Sequence, residues 1–128
     1  MNAPLTEIKQ FDRPDRCLRE MRPLEIMGLV ERKLRTVLVG DTRHRYEVDA
    51  RKVFVFLCLR ARRPISINRL ASILDKDHCT LLYYQKVFPA NFENDPDVRD
   101  MVLEVVGPAE YLLIEKELMN SKAPSYQK

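Results

Sequence analysis

The chain has 128 residues, 45% of them apolar and 32% charged, with a net charge of +3. This is one domain's worth of chain with a single modest core, too apolar for disorder throughout. No apolar run reaches membrane-span length, and the opening MNAPLTEIKQFDRPDR lacks the apolar centre of a secretory signal.

Residues 1–22 read as an irregular arm, interrupted by Pro4 and Pro14, with one short turn around Arg16–Met21. Pro23 suits the first turn of a helix over Leu24–Leu34, whose Ile26, Met27, Leu29, Val30 and Leu34 form a stripe. Val37-Leu38-Val39 fits either a brief extended segment or the end of that helix, and Gly40-Asp41-Thr42 reads as a turn. Arg43–Tyr46 is polar and loop-like. Asp49 is then expected to cap a helix running to about Arg62. Its centre, Val53–Leu59, is apolar all round and could be a buried strand, but no Gly or Pro breaks residues 49–62, and that length favours a buried helix.

Pro64 ends that helix, and Ser66 is a good N-cap for a short one through Leu74, burying Ile67, Leu70, Ala71, Ile73 and Leu74. Asp75-Lys76 makes a tight turn, with Asp75 taking the left-handed conformation usually left to Gly. Asp77 is expected to cap the next helix, which carries Leu81, Leu82 and Tyr84 towards Val87. Two short helices about a tight turn, residues 66–87, have the plan of a helix-turn-helix. Residues 89–95 read as a loop. Asp95-Pro96 starts another helix with Met101, Val102 and Val105 at helical spacing. Gly107-Pro108 stops it and opens a last helix with Tyr111, Ile114 and Leu118 on one stripe. The expectation is an all-α chain: an arm (1–22), a small helical bundle (23–121) and a flexible tail (122–128) with fraying from Ser121.

Charge is uneven. Residues 41–63 hold seven Lys/Arg against three Asp/Glu, whereas residues 87–128 hold four against eight. A basic middle and an acidic end suggest one face for a polyanion and another turned away from it. Cys17, Cys58 and Cys79 form an odd set with no Cys-x-x-Cys pair, which argues against a disulfide framework or zinc site and for a reducing cytoplasm. His44 and His78 have no metal-ligand spacing with any Cys. No nucleophile–base pattern stands out, so the chain reads as a non-enzyme without metal or cofactor.

Lys76-Asp77-His78-Cys79-Thr80-Leu81 groups a basic residue, a capping acid and hydrogen-bonding side chains on the first turn of a helix. With Leu70–Leu74 before it, Lys86-Val87 after it, Arg43-His44-Arg45 and Arg51-Lys52 upstream, the segment 43–87 resembles the C-terminal DNA-binding domain of the bacterial replication initiator DnaA. That family has a basic loop, a buried helix and a helix-turn-helix whose second helix opens with a basic-Asp-His-Ser/Thr-Thr signature. The resemblance covers about a third of the chain and implies a Trp-repressor-like helical fold and binding to double-stranded DNA in transcriptional regulation or replication control. It implies base readout by Asp77, His78, Cys79 and Thr80 in the major groove and by Arg43 or Arg45 in the minor groove. Phosphate contacts would come from Lys76, Arg51, Lys52, Arg62 and Arg63, with Arg60 a further candidate. The absence of a Gly-x-x-x-x-Gly-Lys-Ser/Thr loop removes the ATPase engine, leaving a free-standing module such as a phage or mobile element encodes. Cys79 replaces a hydroxyl residue, and Tyr83-Tyr84 replace smaller residues and His, so a different DNA sequence is expected.

Each of these residues also has an ordinary reading. His78 can be a surface or packing histidine, Asp77 only a cap, Arg43 and Arg45 plain loop charges, and Tyr83-Tyr84 half core and half surface. Cys58 reads as core. Cys79, beside Lys76 at a helix start, could carry a lowered thiol pKa and a redox role. The competing function is a protein-interaction module that binds a replication or transcription factor without reading DNA. The acidic C-terminal helices would then be the partner site or a homodimer surface.

Overall fold

The computed structural model describes residues 20–40, 44–61 and 65–126, with side chains through Met119. The arm expected over residues 1–22 lies almost wholly outside the described residues. Six helices are described: α1 (Pro23–Leu34), α2 (Arg45–Arg60), α3 (Ile67–Leu74), α4 (His78–Asn94), α5 (Pro96–Val106) and α6 (Pro108–Tyr126). They form a small all-helical bundle, as expected from sequence. No helix among the described residues is long and apolar enough to cross a membrane.

α1 starts at Pro23, where the missing N–H costs nothing, and the Glu25 carboxylate accepts from the Arg22 amide at 2.8 Å. Ile26, Val30 and Leu34 recur every four residues and are buried. Arg35 ends the helix in the left-handed conformation, its neighbour Thr36 donating back to Glu31 O. The Val37–Val39 segment is irregular. Its Leu38 is fully buried, held by the Leu38 amide donating to Glu31 Oε2 at 2.9 Å.

α2 is the central helix and packs against α1, α4 and α5. Its middle is buried on nearly every side through Val53, Phe54, Val55, Leu57 and Cys58. The start differs from expectation. Arg45 to Val48 are already helical, so Asp49 is no cap but a buried residue one turn inside. The cause is tertiary: Tyr46 donates its hydroxyl to Leu34 O at 2.6 Å, satisfying a carbonyl at the end of α1 and fixing the first turn of α2 against it. The helix ends at Arg60, with Ala61 extended, rather than at Arg62.

The 89–95 loop is also corrected. α4 runs unbroken through Pro89 to Asn94. Proline leaves the carbonyl four residues back without its partner. Gln85 and Pro89 are both exposed, so that group is on the solvent side. The opposite face is anchored on either side of the proline. Phe88 stacks on Phe56 with ring centroids 4.5 Å apart, and Phe92 lies 6.2 Å from Phe88 and 5.7 Å from Tyr111. Aromatic burial across α2, α4 and α6 outweighs one missing hydrogen bond.

α5 and α6 follow the sequence closely. Asp95 caps α5 by accepting from the Asp97 amide at 3.0 Å, Pro96 opens the helix, and Gly107 closes it at φ 88, where a side chain would be strained. α6 buries Ile114, half-buries Tyr111 and Leu118, and packs on α5. Its backbone stays helical past Ser121 to Tyr126.

Candidate nucleic-acid interface

α3 and α4 meet at a corner of three residues, Asp75 to Asp77. Ser66 caps α3 by accepting from the Arg69 amide at 3.2 Å. At the other end Asp75 takes φ 56, ψ 47. Its amide donates to Ser72 O at 3.2 Å, and the Lys76 amide donates to Ala71 O at 2.9 Å. This pair of bonds is a Schellman closure with Asp in the place of Gly, the left-handed role the sequence assigned to it. The turn is therefore defined by its backbone hydrogen bonds, and it fixes where α4 begins.

Asp77 occupies the N-cap position of α4, but its carboxylate makes no capping hydrogen bond. The expected side-chain cap is absent, and only the Asp77 carbonyl joins the helix, accepting from Thr80 and Leu81. The carboxylate is thus left facing outward on an exposed residue. His78 and Cys79 are exposed beside it, while Thr80 and Lys76 are half-buried. The first turn rests on a rigid back: Leu81, Tyr84 and Phe88 are buried at i, i+3 and i+7. Tyr83 points outward while Tyr84 is core, the division expected of that pair. The outer face continues through Leu82, Gln85 and Lys86.

The basic residues expected to meet phosphates divide sharply. Arg51 is 1% exposed. Its guanidinium donates from Nε to Leu38 O at 2.8 Å and from Nη2 to Gly40 O at 3.3 Å, bracing the α1–α2 connection from inside. Lys52 is nearly buried, donating to Asn91 Oδ1 at 2.8 Å and lying 3.9 Å from Asp49 Oδ1. Arg60 has a side chain 6% exposed and is held between Glu110 and Glu117 of α6. As placed, none of these three offers a free cation at the surface. Arg43, Arg62 and Arg63 lie outside the described residues.

Arg45 is exposed yet engaged. It hydrogen-bonds Asp95 at the α4–α5 junction and lies 3.6 Å from Asp49. The Asp95 partnership raises the guanidinium pKa above its ordinary value. Partial burial works against Asp95 ionising, but bonds from Arg45 and the Asp97 amide outweigh it and hold this carboxyl below the usual range. Asp49 moves the other way: burial raises its pKa despite Lys52 and Arg45 nearby. Minor-groove contact by Arg45 would require it to leave Asp95.

Three other cations lie on α3, the turn and α4. Arg69 and Lys86 are exposed, Lys76 is half-buried, and none is in an ion pair among the described residues. Arg69 was not singled out from the sequence. Its signal was available, since it falls off the Leu70, Ala71, Leu74 stripe of α3. Cys58 is core as expected, with burial pushing its thiol pKa up to about 12, while Cys79 is exposed.

Elsewhere, an open cleft of about 620 Å³ lies among the end of α1, the start of α2 and α5, bordered by Lys33, Arg35, Arg45, Asp97, Asp100 and Glu104. Its charges are of both signs, and none of the residues at the start of α4 lines it. No three His, Cys, Asp or Glu among the described residues come together as a metal site requires.

No family model, curated protein or solved structure matches this chain.

Proposed function

We propose that this chain is a sequence-specific duplex-DNA-binding protein that lays the first turn of α4 in the major groove, acting in transcriptional or replication control in a bacterial or phage-infected cytoplasm. One observation carries the reading. The exposed Asp77, His78 and Cys79 stand at the start of a helix whose other face is locked in the core, and α3, the turn and α4 also carry Arg69, Lys76 and Lys86, in no ion pair among the described residues. An Asp can accept from a cytosine amino group, a neutral His can donate or accept, and a thiol can pack on a thymine methyl. The first-turn amides of α4 point the same way and favour a phosphate. In this proposal α3 and α4 form the helix-turn-helix, and Arg69, Lys76 and Lys86 replace Arg51, Lys52 and Arg60 as the phosphate contacts.

Selection of bound duplexes from a random library, followed by titration at several salt concentrations, tests the proposal. Three phosphate contacts give a slope of log K against log salt of roughly −3. Lys76→Ala or Arg69→Ala should weaken binding on every sequence and flatten that slope by about 1. His78→Ala should instead relax preference at one position. Binding that ignores salt, or a library with no enriched motif, would sink the proposal.

The competing protein-interaction reading gains support from a different observation. Arg45, Lys52 and Arg60 are neutralised within the molecule, which leaves a weaker basic face than the composition implied. Absent DNA binding would favour it.

A further inference from the structure

Among the described residues, the outer face of α6 carries large apolar side chains that the bundle leaves exposed. Leu112 is 56% exposed and Met119 63%. They stand seven residues apart, two helical turns, with Glu115 and Lys116 between them at i+3 and i+4. These four positions share one face, opposite the buried Ile114. Glu115 and Lys116 are in no ion pair among the described residues. Nor can α6 supply one: the positions three and four away from each are Tyr111, Leu112, Leu113, Leu118, Met119 and Asn120, all uncharged.

The order Leu112, Glu115, Lys116, Met119 is self-complementary on reversal. The midpoint of 112 and 119 is also the midpoint of 115 and 116. A two-fold axis through that point sets Leu112 against Met119 of a second copy. The same axis sets Glu115 against Lys116 of that copy, so both charges gain a partner and both apolar ends are covered. A parallel pairing would instead set like charges against each other, and an unrelated partner would have no reason to match this spacing. We propose that the outer face of α6 is a homodimer interface, an antiparallel, isologous pairing of α6 with α6 centred between Glu115 and Lys116.

The surface is small. With exposed Leu113 alongside, each copy contributes on the order of 300–400 Å² of apolar area, well under the roughly 800 Å² per partner of a standard stable interface. The dimer is therefore concentration-dependent. One consequence rests on the DNA-binding reading: a two-fold dimer carries two copies of α4 and reads an inverted repeat. The dimer itself does not depend on that reading.

Sedimentation equilibrium of the full chain, from micromolar to millimolar concentration and without DNA, tests the proposal. The wild type should self-associate as a dimer. Leu112→Glu should weaken association by at least about tenfold, as one buried leucine replaced by a charge implies. Glu115→Lys and Lys116→Glu should each weaken it, because each sets like charges opposite one another. The double variant Glu115→Lys/Lys116→Glu should recover it, since opposite charges face again. All four positions lie off the core, and an unchanged thermal melt confirms that each variant is folded. A monomer at every concentration, a dimer indifferent to Leu112→Glu, or a double variant weaker than either single change would each overturn the proposal. Failure to bind DNA alongside this dimer would discard the DNA reading and leave the interface intact.

Discussion

Arg60 decides how the last helix is fastened to the bundle. Its Nε and Nη2 donate to both oxygens of Glu117 at 2.9 and 2.8 Å, and its Nη1 lies 2.6 Å from Glu110 Oε2. Burial disfavours the charged guanidinium, but the hydrogen bonds it donates to Glu117 and its pairing with Glu110 outweigh it and raise its pKa, so Arg60 stays protonated. The two carboxylates are unequal. Glu117 is 41% exposed and can turn to water, whereas Glu110 is mostly buried and its Oε2 has no aligned hydrogen bond to fall back on. Arg60→Ala therefore strands a buried carboxylate, at a cost of about 3–5 kcal/mol. Against a domain stability of roughly 5–15 kcal/mol, that lowers the melting temperature on the order of 15 °C or more. Arg60→Met keeps most of the stem packing and should still cost at least about 2 kcal/mol, because the carboxylates remain. Glu117→Ala should cost only about 1 kcal/mol, since its partner keeps Glu110. Urea unfolding at neutral pH, with the denaturant slope checked for constancy, measures all three. Costs below about 1 kcal/mol for both Arg60 variants would refute the reasoning, because the pair would then behave as a solvated surface contact.

Three further outcomes follow from the same structure. In a Cys17→Ser background at pH 8, a thiol reagent should label Cys79 at once and Cys58 only on unfolding, because burial holds the Cys58 thiol at about 12; prompt labelling of both would contradict that burial. Pro89→Ala should stabilise by about 1–3 kcal/mol by restoring the missing bond inside α4, and a loss of stability would mean the helix breaks there. Asp49 has a folded pKa raised by burial, so the folded state binds its proton more tightly than the unfolded state does. Its contribution is full below the unfolded value and is lost as pH rises through the folded one. Asp49→Asn should accordingly gain on the wild type as pH climbs from about 3 to 6 in paired urea titrations; the opposite trend would place the carboxylate in a net attractive site.

Signals confined to a few neighbouring residues were legible in the sequence. Pro23, Ser66, Asp95-Pro96 and Gly107-Pro108 each mark a boundary within a residue or so, and the left-handed turn at Asp75 follows from what Asp tolerates. What was misread depends on partners far along the chain. Pro89 looks like a stop until Phe88 and Phe92 are seen to bridge α2 and α6. Asp49 looks like a cap until Tyr46 is found bonded to Leu34, 12 residues back. The basic middle was read by counting charges, and counting does not say which way they point. Helical phase carries part of that missing information. Arg51 falls in register with Phe54, Val55 and Cys58, and Arg60 with Val53 and Leu57, so both lie on buried stripes of the central helix. The identities of their acceptors, Leu38 and Gly40 in one case and Glu110 and Glu117 in the other, emerge only when the helices pack.

That redistribution of charge bears on how such a small module could hold DNA. Arg60, Lys52 and Arg45 are committed to holding α6, α4 and the α4–α5 junction, so much of the basic middle serves cohesion. Under the DNA-binding proposal, the three cations of α3, the turn and α4 that form no ion pair among the described residues would give one copy a weak and salt-sensitive grip by the counterion argument. Two copies joined through α6 would double the phosphate contacts and make the second engagement intramolecular, which raises affinity without any new contact. The basic face is modest and the self-complementary apolar seam is small, so each is weak on its own. In combination, the proposed DNA binding and the proposed self-association would reinforce each other by linkage.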